Sequence, residues 1–393
     1  MTARWFGLPA DLWRITAADF VVRTAYQMGK TPLLPIYAAV LGASDLIIGS
    51  IVSISTMTGL VLKPLFGLLS DRTGRKVWLL IGLCVFTVTP FLYRFVETPE
   101  DLMTLRLLHG TATAIFGPVS LAYVAEMGAD RRAERLGIFG MARGGGYLLA
   151  PTLAALLLGW LSPEQVFTLI GLLSCAAFVP VLRLTQRPAD RQAGFFDSLV
   201  RAYRATRASR AFWLAATLEM ATHITTYAIK AFLPVYALTV AGFDLLLVGL
   251  FFSIQELANL LTRPVGGRLA DRLTPEVPIF AGFLLLASAL FLLTGGAGLV
   301  TVLSAAIGIG ISLGLILPST LSLLTSEVPS DTLGAGMGAL GALRNLGKVV
   351  GPVAAGLFLT HASYQGLFTL CAVFALVTAL AFGTVMRLRN RSA

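Results

Sequence analysis

The chain has 393 residues, of which 56% are hydrophobic and only 13% are charged, against roughly 25% charged residues in an ordinary soluble domain. So few charges exclude a soluble surface, and lipid is expected to cover much of the outside. The net charge of +10 does not indicate nucleic-acid binding, because most basic residues lie in a few short connectors between apolar segments.

Long apolar segments predict an all-α membrane protein with twelve transmembrane helices, because about 20 apolar residues cross a bilayer. In chain order, spans 1 to 12 cover residues 13–40, 45–69, 77–96, 101–126, 134–160, 164–184, 211–240, 245–269, 277–295, 299–325, 333–360 and 364–387. We expect two pseudo-symmetric six-helix bundles, residues 1–184 and 211–393.

The connector between the bundles, residues 185–210, combines aromatic and basic side chains. Phe195, Phe196 and Tyr203 alternate with Arg201 and Arg204, a pattern typical of an amphipathic helix on the inner leaflet. We therefore predict that this basic connector lies on the cytoplasmic membrane surface.

Basic residues alternate between successive connectors. Arg72, Arg75 and Lys76 follow span 2, whereas connectors 97–101 and 242–244 contain no Lys or Arg. By the positive-inside rule this alternation predicts cytoplasmic termini and a multi-pass protein of the cell (inner) membrane.

The two predicted bundles repeat one another with an offset near 200 residues. Matching residues include Asp19 and Glu219, Arg23 and His223, Lys30 and Lys230, Lys63-Pro64 and Arg263-Pro264, Asp71-Arg72 and Asp271-Arg272, and Arg143 and Arg344. Six spans repeated in parallel are typical of rocker-switch transporters, which hold the solute between the halves near the membrane midplane.

Three sequence patterns resemble motifs of the major facilitator superfamily. Residues 67–76 are similar to its loop 2–3 signature. Residues 102–110 resemble its span 4 motif, with His109 where a glutamine is usual. Residues 137–155, and more closely 338–356, resemble the span 5 motif of its antiporters. The resemblance covers the whole chain and implies a proton-coupled secondary transporter with twelve spans, working by antiport and export.

The resemblance also implies a cytoplasmic gate formed by charged residues at helix ends. Its predicted residues are Gly67, Asp71, Arg72, Arg75 and Glu126 in the first half, and Asp271, Arg272 and Glu327 in the second. Gly67 is expected to let two helices approach closely, and Glu126 to pair with Arg72 or Arg75. Alternatively, these charges only end the helices and fix their orientation.

Basic residues outnumber acids inside the predicted spans. A Lys or Arg at the membrane centre costs about 2.5–3.5 kcal/mol unless it faces a polar cavity or a partner. We therefore predict a net positive cavity and an anionic or amphiphilic organic solute. The predicted solute-binding residues are Lys30, Lys230, Arg143, Arg344, Lys348, Tyr26, Tyr227, Asn345 and Gln255. In the alternative, Arg143 and Arg344 are structural partners of the acids across a helix interface.

Titratable residues four apart on spans 1 and 7 predict proton coupling. Histidine changes its charge near neutral pH, which favours a role for the Glu219–His223 pair. The predicted proton-coupling residues are Asp19, Arg23, Glu219, His223, Glu256, His109 and Arg106. In the alternatives, Asp19 and Arg23 only neutralise each other, and His109 only packs in the core.

Other classes of protein lack their sequence features. The chain has no phosphate-binding GxxxxGK[ST] loop, which excludes a primary pump, and its three scattered histidines suggest no metal site or cofactor. No nucleophile–base set predicts an enzyme, and no soluble domain is long enough for a sensor. The expected partners are a small-molecule solute, protons and the lipid bilayer, with the chain acting as a monomer. An importer of an organic anion and a multidrug efflux carrier remain alternatives.

Overall fold

In the computed structural model the described residues are 4–5, 8–128, 131–186, 209–295, 298–327 and 333–392. The described part of the first half contains a two-stranded antiparallel ribbon and eight α-helices, with a short 3-10 helix at Tyr93–Phe95. These are β1 (Arg4–Trp5), β2 (Leu8–Pro9), α1 (Ala10–Lys30), α2 (Leu33–Val40), α3 (Asp45–Thr73), α4 (Arg75–Leu92), α5 (Pro99–Ala125), α6 (Arg132–Leu158), α7 (Pro163–Cys175) and α8 (Phe178–Leu182).

The described part of the second half contains six helices. They are α9 (Arg210–Thr239), α10 (Leu245–Arg272), α11 (Glu276–Leu292), α12 (Leu299–Glu327), α13 (Leu333–Leu359) and α14 (Tyr364–Ser392). The predicted amphipathic helix of the connector falls on residues 187–208, which lie outside the described residues.

Local sequence signals account for several helix ends. Thr98 caps α5 in a reciprocal capping box with Asp101, and Ser162 does the same for α7 with Gln165. Gly74, with φ of 101°, lies in the left-handed region that favours glycine and separates α3 from α4. Pro32, which has no N–H to donate, lies between α1 and α2, so two helices occupy predicted span 1.

The predicted repeat is visible in the helix packing. In the first half α1 packs against α6, and α4 packs against α5 and α7. The counterparts in the second half pack in the same way, α9 against α13 and α11 against α12 and α14. Prolines inside helices also recur near the 200-residue offset, as Pro64 and Pro264 or Pro118 and Pro318.

The chain forms two compact units that do not follow the predicted boundary everywhere. One contains α1, α2, α4 to α8 and α3 from Ile54 onward, whereas the other contains α9 to α14 together with Asp45–Ser53 of α3. Within the second unit, Ser53 Oγ donates a hydrogen bond of 2.9 Å to the carbonyl of Val349. The bundle boundaries at 184 and 211 therefore stay a prediction.

Eight helical segments of the described residues are long and apolar enough to cross a membrane. They are Asp45–Thr73, Arg75–Phe95, Pro99–Ala125, Arg132–Leu158, Pro163–Leu182, Leu245–Arg272, Leu299–Thr325 and Tyr364–Leu388. Predicted spans 1, 7, 9 and 11 are not among them. Three of these carry many of the intramembrane charges, and α11, which matches span 9, has only 17 residues. Twelve spans therefore remain a prediction.

Large apolar side chains lie on the outside of both units. Val61 on α3 and Leu261 on α10, which are repeat mates, are each 68% exposed. Such faces are costly in water but are satisfied by lipid, as expected for membrane helices.

Candidate functional site

Close packing of α1 on α6 and of α9 on α13 brings charged side chains together. A Cβ added to Gly146 would lie 2.9 Å from Thr24 Oγ1, and one added to Gly347 would lie 2.6 Å from the carbonyl oxygen of Met220. Gly146 and Gly347, which belong to the antiporter-like patterns, thus allow two helix backbones to approach, so helix packing explains these two glycines. Arg143 and Arg344 each precede one of these glycines by three residues.

The first charged group, which we call the Asp19 cluster, comprises Asp19, Arg23, Ser120 and Arg143. Arg143 donates two hydrogen bonds to the Asp19 carboxylate, from Nε at 2.8 Å and from a terminal nitrogen at 2.7 Å. Arg23 Nε lies 3.6 Å from the same carboxylate, and Ser120 Oγ lies 3.3 Å from it. Asp19 is 1% exposed and the Arg143 side chain 23%. A buried carboxylate is therefore held by two guanidinium groups.

The second group, the Glu219 cluster, comprises Glu219, Thr320 and Arg344. Arg344 Nε donates to the Glu219 carboxylate at 2.6 Å, and Thr320 Oγ1 donates to it at 3.0 Å. Glu219 is 1% exposed, but the Arg344 side chain is 38% exposed. This carboxylate has one guanidinium partner among the described residues. In both clusters the contacts match the interpretation of Arg143 and Arg344 as partners of acids.

The predicted pairs within one helix have different outcomes. Asp19 and Arg23 do form an ion pair. A side-chain pair between Glu219 and His223 is wrong, because His223 Nδ1 lies 2.8 Å from the backbone carbonyl of Glu219 while the carboxylate binds Arg344. A charge-assisted contact with guanidinium is the stronger of the two choices. The role of His223 in proton coupling stays a prediction.

Cations surround an aromatic ring next to the Glu219 cluster. Lys230 Nζ on α9 lies 5.3 Å from the centre of the Tyr227 ring, and Lys348 Nζ on α13 lies 5.4 Å from it. Lys348 follows Arg344 by one helical turn, and half-buried Asn345 lies between them in sequence. The fold thus brings three predicted solute-binding residues, Tyr227, Lys230 and Lys348, together in the second unit. Gln255 is buried on α10.

The third intramembrane acid, Glu256, belongs to a chain of contacts along α10. Asn259 Nδ2 lies 3.4 Å from its carboxylate, Arg263 Nε lies 3.1 Å from Asn259 Oδ1, and Arg263 lies 4.0 Å from Glu256. In the first unit Lys30 Nζ lies 3.4 Å from Thr56 Oγ1. The solute and proton roles of these residues stay predictions.

A further group, the Arg106 cluster, comprises Tyr26, Ser55, Tyr93, Arg106 and His109. Arg106 is completely buried and donates to Ser55 Oγ at 2.6 Å, Tyr26 Oη at 3.3 Å and Tyr93 Oη at 3.4 Å. His109 Nδ1 lies 3.1 Å from Tyr93 Oη. No carboxylate among the described residues forms an ion pair with Arg106. Its charge is instead stabilised by three hydroxyl groups and by the Tyr26 ring, whose centre lies 5.6 Å from the guanidinium carbon.

The sequence did not indicate the hydroxyl partners of these clusters. Ser55, Tyr93, Ser120 and Thr320 have no motif, and hydroxyl side chains are common throughout the spans. Among these residues only Ser120 and Thr320 have a sequence signal, because they are 200 residues apart and so occupy matching positions of the repeat.

At the predicted first gate, the contacts are made by Arg75. This first residue of α4 forms an ion pair with Asp71 and donates to Glu126 at 3.1 Å from Nε and 2.5 Å from a terminal nitrogen. Arg72 is exposed. The explanation given for Gly67 is wrong, because no described atom lies within 4 Å of a Cβ added there. Whether the contacts act as a gate stays a prediction.

The predicted second gate differs from the first. Asp271 and Arg272 are exposed, and the side chain of Glu327 lies outside the described residues. Pro275 occupies the position that corresponds to Arg75, so this half has no arginine at the start of α11. In the part of the chain that the structure describes, no group of His, Cys, Asp and Glu could hold a metal ion.

Buried charges satisfied by other helices, apolar outer faces and helices that can span a bilayer are the features of a multi-pass membrane protein. The chain belongs to the Major Facilitator Superfamily, whose sequence profile matches residues 20–347. This confirms the predicted family and a multi-pass membrane protein of the transporter class.

Named proteins support the same assignment. An uncharacterized MFS-type transporter of Methanocaldococcus jannaschii is 24% identical over 355 residues, 89% of this chain and 91% of that protein. A multi-drug resistance efflux pump PmrA homolog of Lactococcus lactis is 25% identical and covers 92% of this chain and 91% of its own. The crystal structure of the nucleoside transporter NupG has a TM-score of 0.79 at 16% identity and covers 96% of this chain and 99% of its own.

Proposed function

We propose that the protein is a proton-coupled secondary transporter that carries an organic anion by alternating access. The proposal includes twelve spans in two six-helix bundles, both termini in the cytoplasm, and a chain that acts as a monomer. The Glu219 cluster is the observation that carries it. There a buried carboxylate is held by one arginine whose own side chain is 38% exposed.

Glu219 is the best-supported proton site because a proton there disrupts the fewest ion pairs. Protonated Glu219 releases only Arg344, which is partly exposed and can be solvated or can bind an anion. A proton on Asp19 would leave two guanidinium groups, one of them Arg23 at 8% exposure, without their carboxylate. Leaving a buried charge unpaired costs several kcal/mol, on the order of 3–5. Asp19 is therefore expected to stay ionised.

In this proposal the anionic group of the solute binds beside Tyr227, where Lys230 and Lys348 approach the ring. A carboxylate, phosphate or sulfonate there would also reach toward Arg344, one helical turn from Lys348. The solute then competes with the Glu219 carboxylate for the same guanidinium.

This competition determines whether the proton and the anion move in the same direction or in opposite directions. When Glu219 is protonated it no longer binds Arg344, so the anion binds more tightly, and by reciprocity the bound anion favours protonation. Proton and anion therefore load together, and an inward proton gradient drives import of the anion. We therefore favour cotransport over antiport, because the anionic solute and the Glu219 carboxylate compete for the same Arg344 guanidinium.

Efflux by proton antiport is the second candidate. It is supported by the similarity to the multi-drug resistance efflux pump homolog of Lactococcus lactis and by the antiporter-like glycine patterns. In that case a cationic or neutral drug would bind while Glu219 is ionised, and a proton would displace it.

A thermal-shift screen of the purified full chain separates the two candidates. Organic anions and lipophilic cations are compared at about pH 5.5 and about pH 7.5, because a bound ligand raises the unfolding temperature by mass action. The proposal predicts stabilisation by organic anions that is stronger at the lower pH, is independent of pH in Glu219→Gln, and is weaker and independent of pH in Arg344→Gln.

Arg268→Gln is the control, since Arg268 is an exposed arginine of the same unit outside the cluster. Stabilisation by cations alone, strongest at the higher pH, would contradict anion transport and support efflux by antiport.

A further inference from the structure

A groove in the second unit lies between the start of α11 and the end of α14. Its volume of about 440 Å³ falls within the roughly 300–1,000 Å³ of pockets that bind small molecules. Both walls are mostly apolar, with Val277 and Phe280 on α11 and Leu380 and Phe382 on α14. This groove has no residue in common with the predicted solute and proton sites.

The groove opens toward lipid. Val277 is 51% exposed and Leu380 is 53% exposed, although both are apolar. Phe280 packs on the backbone of Gly383, where an added Cβ would lie 3.0 Å from the ring. The missing side chain at Gly383 therefore lets the Phe280 ring lie against α14, and this ring gives the groove an apolar floor that suits a hydrocarbon chain.

Two residues of opposite charge line the groove, Glu276 and Arg387. Glu276 is the first residue of α11, and Arg387 lies near the end of α14, so both are at helix ends that the predicted topology places at the cytoplasmic membrane surface. That is the depth at which lipid headgroups lie. Among the described residues these two side chains form no ion pair with each other, so the groove presents one negative and one positive group to a ligand.

We propose that this groove binds phosphatidylethanolamine, with the phosphate at Arg387, the ammonium at Glu276 and an acyl chain along Phe280 and Leu380. Guanidinium matches phosphate through two parallel hydrogen bonds, and a primary ammonium offers three donors to a carboxylate. A choline headgroup has no N–H to donate. An anionic glycerol headgroup would place negative charge beside Glu276 and bring no cation for it.

Native mass spectrometry of the full chain tests the proposal. The protein is mixed with equal amounts of phosphatidylethanolamine, phosphatidylcholine and phosphatidylglycerol that carry the same acyl chains. The ethanolamine lipid is expected to be retained best, by about fivefold over phosphatidylcholine, as a charge-assisted hydrogen bond at a partly wet site allows. Glu276→Gln should abolish that preference, whereas Arg387→Gln should weaken binding of all three lipids.

Two further variants make the test specific. Gly383→Leu fills the groove without changing charge and should reduce retention of phosphatidylethanolamine, whereas Arg268→Gln removes an exposed arginine elsewhere in the unit and should not. The unfolding temperature of the wild-type protein, measured with each added lipid, should rise most with phosphatidylethanolamine and needs no variant. Equal retention of the three lipids by the wild type, or an unchanged preference in folded Glu276→Gln, overturns the proposal.

Discussion

The Asp19 and Glu219 clusters occupy matching positions in the two halves but differ in charge. Each joins a buried carboxylate, a hydroxyl group and an arginine from three helices. Arg23 adds a second guanidinium to the first cluster, whereas His223 at the matching position turns to the backbone instead. The first cluster therefore has a surplus positive charge that keeps its carboxylate ionised, and the second is balanced by a single arginine. Under the proposed function, the first cluster keeps its charge and the second exchanges a proton.

Removing the carboxylate of each cluster is expected to give the largest difference in stability between the two halves. Asp19→Asn leaves two mostly buried guanidinium groups unpaired and should lower the free energy of unfolding by about 3–5 kcal/mol. Glu219→Gln should cost about 1–2 kcal/mol, because Arg344 is partly exposed and charge interactions near solvent are screened. Equilibrium unfolding of the detergent-purified proteins measures both, and equal losses would remove the distinction between the clusters.

The Arg106 cluster is a second difference, because Ala306 occupies the matching position in the other half. Tyr26→Phe removes a hydroxyl that accepts from Arg106 at 3.3 Å and should lower the free energy of unfolding by about 1.5–3 kcal/mol. As a control in the second half, Tyr236→Phe on α9 removes a hydroxyl that makes no hydrogen bond among the described residues, and it should cost about 0.5 kcal/mol or less. A larger loss for Tyr236→Phe would show that this asymmetry is not important for stability.

The glycine contacts test whether both clusters depend on close helix packing. Gly347→Ala places a methyl group 2.6 Å from the Met220 carbonyl, so the backbone must shift at a cost of about 1–3 kcal/mol. Gly146→Ala meets the Thr24 hydroxyl first and should cost less. Gly137→Ala, with no described atom within 4 Å, is the control and should be neutral or stabilising by up to about 1 kcal/mol. A neutral Gly347→Ala would contradict the packing.

At the helix ends the smallest effects are expected. Arg75→Gln removes contacts with Asp71 and Glu126 and should cost about 0.5–1 kcal/mol, the upper range for ion pairs near the surface. Arg272→Gln should be close to neutral, because Arg272 is exposed. Thermal unfolding of the two variants side by side checks the difference. An equal loss of stability in Arg272→Gln would mean that Arg272 makes contacts comparable to those of Arg75.

The repeat in the sequence predicted which residues correspond, but not what they contact. Asp19 with Glu219 and Arg143 with Arg344 could be matched by offset, and the alternative of acid–arginine partners was open. Choosing that alternative requires the knowledge that α1 packs closely on α6 and α9 on α13. The glycine patterns alone do not show this packing, which becomes clear when the structure places Gly146 and Gly347 at the helix contacts. Arg75 could not be preferred to Arg72, because the choice depends on the turn at Gly74.

The central claim is that Glu219, and not Asp19, takes up the coupling proton. Infrared difference spectra of the purified protein, recorded at one pH before and after addition of an organic anion that stabilises it, follow this directly, because a bound anion favours protonation of that carboxylate. The account predicts a carbonyl band of a newly protonated carboxylic acid that is present in the wild type and in Glu256→Gln and absent in Glu219→Gln. A band that persists unchanged in Glu219→Gln would contradict the account.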